Sequence, residues 1–102
     1  MGTKRNPGRF DCYAKAKPDE PMFVLLGRDP MAPVLVRLWA KLRERLGEGS
    51  DTVAEARGLA LDMDRWLTEA GKLARKDEAE RALLHVIVEG IDLDELLCEI
   101  TA

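Results

Sequence analysis

The chain is poor in the residues that do chemistry. Its 102 residues hold one histidine, two cysteines, five aromatic side chains and no glycine-rich loop. A lone histidine and two cysteines at opposite ends, Cys12 and Cys98, cannot complete a zinc site, which takes four closely held N or S ligands. HExxH, GxSxG and phosphate-cradling glycine patterns are all missing. Asp62 and Asp64 are two apart on an expected helix, about 200° around its axis, and so make a poor metal pair, as do Asp92 and Asp94. His85 sits between Leu84 and Val86 and reads as a partly buried packing residue. The expectation is a protein that is not an enzyme and carries no cofactor.

Long hydrophobic runs are missing too. Nothing approaches the ~20 apolar residues of a membrane helix, and MGTKRNPGRF is not followed by the apolar stretch of a signal peptide. A cytoplasmic protein with two reduced thiols and no membrane partner is expected. At this length one domain is expected, burying only about two-thirds of its unfolded surface, so that oligomerisation would help it.

Charge, by contrast, is abundant and uneven. The net charge is −3, but residues 1–47 carry ten Lys/Arg against five acids, and residues 48–102 carry six against fourteen. Such a split suits either head-to-tail association or an anionic partner on the basic half. The pI near 5.2 and the acidic second half argue against double-stranded nucleic acid.

Helical periodicity dominates after residue 30. Asp29 and Pro30 suit a helix start, and Met31, Val34, Leu35, Leu38, Leu42 and Leu46 recur at spacings of three and four up to Gly47, giving a helix over about 30–46. A second helix is expected over about 51–70, capped through Thr52 and Glu55 or by Ser50 or Asp51. Ala56, Leu59, Ala60, Met63, Trp66, Leu67 and Ala70 would line its inner face, and Gly71 would stop it. Gly58 within it either admits a close neighbour or is a tolerated imperfection. Asp77 with Glu80 marks a third start, with Leu83, Leu84 and Ile87 inward and an interruption at Gly90. Asp92 with Glu95 would open a short fourth helix, unless the third continues to the end, bent. The fold class is mainly α: a small bundle of three or four helices behind an irregular N-terminal segment. Residues 1–10 read as a mobile basic arm, and 11–102 as a single helical domain.

The block from 11 to 40, DCYAKAKPDEPMFVLLGRDPMAPVLVRLWA, does not reduce to packing as easily. Asp11 would cap a helical turn over 12–17 that Pro18 stops. Met22–Leu26 is too short for periodicity to separate helix from strand; a helical or irregular form is expected, since the only candidate partner strand is His85–Val88. Arginine forks match phosphate and aromatic faces stack on planar rings. Arg28, Arg37 and Lys41 would thus contact the phosphate of an anionic ligand such as a nucleotide. Tyr13 and Trp39 would take its base, and Asp19 and Glu20 would accept its sugar or base hydrogen bonds.

The string DCY–A–PDEPMFVLLGRDP–AP–LVR–WA resembles a segment shared by small uncharacterised proteins of bacteria, phages and prophages. That resemblance implies a short accessory product and assigns no residue a role; by analogy of size and context, phage accessory proteins of this kind often counter bacterial defence. The functional expectation is a non-enzymatic, oligomeric accessory protein that sequesters an anionic small ligand. The alternative is an inhibitor or adaptor acting on a host protein through charged surfaces.

Overall fold

The computed structural model describes residues 1–47 and 49–90 of the chain. Four helices follow one another: α1 (Cys12–Lys15), α2 (Ala32–Arg45), α3 (Ser50–Glu69) and α4 (Leu73–Glu89), with no strand among the described residues. The mainly α reading holds. The fourth helix expected from Asp92 lies outside the described residues; the count of four is reached because the single turn after Asp11 is itself helical. Asp11 caps that turn, its carboxylate accepting the Ala14 N–H at 3.3 Å.

Helices α2 and α3 form an antiparallel hairpin that carries most of the packing, and α4 makes smaller contacts with both. Two ion pairs fix the hairpin register. Arg37 grips the Asp64 carboxylate through both guanidinium nitrogens, and Arg57 meets Glu44 at 2.7 Å. Lys76 of α4 reaches Asp64 at 3.7 Å and Glu80 at 3.0 Å, which ties the first turns of α4 to α3.

The core is built from small side chains. Among the described residues the buried apolar side chains are Ala32, Pro33, Ala40, Val53, Ala56, Ala60, Met63, Leu67 and Ala79, of which five are alanine. The periodicity of α2 is thereby corrected. Its packing face is Ala32, Pro33 and Ala40 with half-buried Val36, while Leu42 and Leu46, expected inward, are 57% and 69% exposed. Successive helical residues turn by about 100°, so Ala40 and Leu42 point to opposite sides. Alanines let the two helices approach closely, and the charged pairs Arg37–Asp64 and Glu44–Arg57 flank the seam they make. On α3 the expected Ala56, Ala60, Met63 and Leu67 are buried, Leu59 is half-buried, Val53 joins them unpredicted, and Trp66 and Ala70 lie outside the face.

Boundaries shifted where capping had been read too literally. Helix α3 begins after Gly49, which takes the left-handed φ of +62°, and no side chain caps it. Helix α4 begins at Leu73, four residues before Asp77, because Leu73–Lys76 continue the helix backwards to the turn at Gly71. His85 is exposed rather than partly buried, 4.0 Å from Glu89.

Residues 1–10, read as a mobile arm, lie against α3. The Glu55 carboxylate accepts the backbone N–H groups of Arg9 at 2.9 Å and Phe10 at 3.2 Å, and the Met1 ammonium lies 3.4 Å from it. The Met1 side chain packs on the Ala40, Val53 and Ala56 cluster. Arg9 also meets Asp51 at 3.2 Å.

Candidate interaction surface

The segment between α1 and α2 is pinned at both ends and free in the middle. At its start Glu20 and Lys17 close a reciprocal turn: the Glu20 N–H donates to the Lys17 carbonyl, and the Glu20 carboxylate accepts the Lys17 N–H, each at 3.1 Å. At its end the Asp29 N–H donates to the Leu26 carbonyl at 2.9 Å, and the Asp29 carboxylate accepts the Met31 N–H at 2.9 Å. Asp29 therefore works as a turn residue feeding α2, and Pro30 stands just outside the helix rather than at its first position. Gly27 lies over Met63 of α3, which seats the turn on the hairpin.

Between these anchors, Met22–Leu26 is neither helix nor strand. Among the described residues, the N–H groups of Met22, Phe23, Val24, Leu25 and Leu26 donate to nothing. Phe23 is 85% exposed and Val24 62%, with Met22 and Leu26 half exposed and only Leu25 turned partly inward. This exposed apolar run, whose N–H groups are unpaired among the described residues, is flanked by Asp19 and Glu20 on one side and Arg28 on the other.

The seven residues expected to share one ligand do not converge. Tyr13 projects from α1, 79% exposed, and Asp19 and Arg28 are exposed in the connecting segment. Glu20 spends its carboxylate on the Lys17 turn. Arg37 is half-buried on Asp64, and that hydrogen bond, above the opposing cost of burial, raises its pKa further above the ordinary guanidinium value. Trp39 stands about 200° around α2 from Arg37 and carries the Arg43 guanidinium 5.3 Å above its ring. Lys41 is exposed on the Arg37 side of the helix. No hydrogen bond, ion pair or ring contact joins any two of the seven.

Nor do two open hollows of the surface gather them. One open hollow of about 420 Å³ lies at the α2–α3 turn, lined by Glu44, Val53 and Arg57 among others. A second of similar size lies beside the N-terminal arm, lined by Met1, Glu55, Leu61 and Arg65 among others. Neither touches any of the seven. The residues that organise the molecule, Glu55, Asp64 and Lys76, were not legible as such, because each acts on partners distant in sequence. No described helix is long and apolar enough to cross a membrane. No family model, curated protein or solved structure matches the chain.

Proposed function

We propose that the protein is a non-enzymatic interaction module, an inhibitor or adaptor that engages a host protein through its Asp19–Arg28 segment. The observation that carries this reading is the exposed, unpaired Met22–Leu26 run between two anchored turns. Leaving four large apolar side chains in water is unfavourable by roughly 25 cal/mol per Å² relative to burying them, so an apolar groove on a partner is their natural destination. Charges of both signs at the ends would set orientation and exclude wrong partners. Pre-formed anchors lower the ordering cost of binding.

Capture of an anionic small ligand is less well supported. It needs Arg37, which already holds Asp64, and a concave site that gathers the seven residues, none of which lines either hollow.

The test is a full-length chain carrying a photo-crosslinking residue at position 23, with position 61 as an exposed apolar control, expressed in the native host. A discrete protein adduct from 23, missing from 61 and abolished when Arg28→Glu is added, is the expected result. Phe23→Asp should leave the melting temperature unchanged. A copurifying anion by native mass spectrometry, with a ligand-dependent rise in melting temperature and no adduct, would instead favour sequestration.

A further inference from the structure

A second surface, separate from the Met22–Leu26 segment, lies on α2. The side opposite the alanine seam carries Leu38, Leu42 and Leu46, exposed by 37%, 57% and 69%, in one line at intervals of four, with half-buried Leu35 at its head. Trp39 flanks them, also partly exposed. Helix α3 packs on the other side of α2, against Ala40 and half-buried Val36. A helix apolar on two opposite sides has a place for a neighbour on each, and no described element covers the outer leucines.

The charges on its borders define what fits the stripe. Lys41 and Arg45 edge it on one side, and Arg43, 5.3 Å over the Trp39 ring, on the other. The only acid of α2, Glu44, is turned to α3, where Arg57 holds it at 2.7 Å. A second copy laid stripe to stripe would set bases against bases, which disfavours self-pairing. An anionic bilayer would meet the same bases, but it would also face the rest of a chain whose net charge is −3, and a narrow stripe gives it little to bury. A helix suits the spacing better. Leu35, Leu38 and Leu42 step by three and then four, the seam that one helix offers another, and Leu38 to Leu46 spans about 12 Å of it.

We infer that the leucine stripe of α2 is a docking seam for an acidic amphipathic helix presented by a partner protein. Apolar side chains of that helix pack between Leu38, Leu42 and Leu46, and Asp or Glu at its flanking positions face Lys41 and Arg45 on one border and Arg43 on the other. The leucines supply the affinity, and charge pairing at the borders selects which helix binds and in which direction. The seam does not depend on the Asp19–Arg28 segment, because the Arg37–Asp64 and Glu44–Arg57 pairs hold α2 on α3 whatever that segment meets.

The probe is a synthetic helix of about three heptads with leucine at the seam positions and glutamate on both flanks, paired with a twin carrying lysine in place of glutamate. Full-length chain is titrated against each by fluorescence anisotropy at low ionic strength, where border charges count most. The acidic helix is expected to bind, and the lysine twin to bind roughly tenfold more weakly or less. Leu42→Gln, at an exposed position, should abolish binding at unchanged melting temperature, and Lys41→Glu with Arg45→Glu should reverse the preference between the twins. Phe23→Asp should change neither result, so this seam and the Asp19–Arg28 reading fail separately. No binding of the acidic helix, equal binding of the twins, or binding that survives Leu42→Gln would overturn the inference. So would a dimer of the chain alone that Leu42→Gln dissolves, or Leu42-dependent attachment to phosphatidylserine vesicles, which would assign the stripe to a second copy or to lipid. The charge reversal keeps the test decisive should Leu42→Gln loosen α2.

Discussion

Asp64 is the residue on which three helices meet. It takes both nitrogens of Arg37 from α2 and the ammonium of Lys76 from α4, while its own backbone belongs to α3. Its side chain is 23% exposed, so these contacts are partly shielded from water and worth more than surface pairs, which contribute about 0–1 kcal/mol. Asp64→Ala leaves Arg37 without its carboxylate at the seam and Lys76 with Glu80 alone, and a loss of about 1–3 kcal/mol in chemical denaturation is expected. Arg28→Ala, at an exposed position with no ion pair among the described residues, should leave the same transition in place. From sequence, Arg37 and Arg28 looked alike, as arginines near aromatics. What separates them is a carboxylate 27 positions away from Arg37, and pairing over that span is set by how helices dock, which local spacing does not encode.

At the scale of elements, helix existence was legible and helix orientation was not. The spacing of apolar residues announced α2, α3 and α4, and glycines at 47, 71 and 90 marked the stops, each with positive φ. The face of α2 that packs was misjudged because leucines outweigh alanines in any count of hydrophobicity, whereas close docking favours the small side chains. The Asp19–Arg28 segment stood out because no period could absorb it, which is a real signal of exposed, non-repetitive backbone; its chemistry was assigned to a pocket that the helix geometry of α2 does not form. Gly58 illustrates the same point in α3. A methyl group built there meets nothing within 4 Å, so the glycine is not needed for a close approach. Gly58→Ala is therefore expected to stabilise the protein by about 0.5–1 kcal/mol, through better helix propensity and a less flexible unfolded chain. A melting temperature raised by a few degrees would show it; a fall would mean that the open hollow beside Gly58 is occupied in solution.

For the molecule as a whole, the core of the described residues is more than half alanine, and the N-terminal arm packs against it. Met1 adds its side chain to the α2–α3 cluster, and Gly8 lets the arm turn, with φ of +78° and no room for a methyl group against the Met1 carbonyl and Glu55. The arm is held at Glu55, whose pKa is lowered chiefly by the Arg9 N–H; burial opposes this, and the N-terminal charge and the Phe10 N–H add smaller lowering effects. A carboxylate with a lowered folded-state pKa stabilises the docked form above its ordinary range, and that contribution disappears as pH falls through the lowered value. The arm should thus stay docked at neutral pH and release in acid, below the usual glutamate range. Amide exchange at Arg9 and Phe10 reads this directly: protection at neutral pH, lost on acidification, with the rest of α3 still protected. Glu55→Gln should flatten that pH dependence, and Gly8→Ala should remove the protection at every pH while leaving the hairpin of α2 and α3 folded. If Arg9 and Phe10 exchange freely at neutral pH in the unaltered chain, the arm does not close the core, and the α2–α3 cluster must be covered by other means.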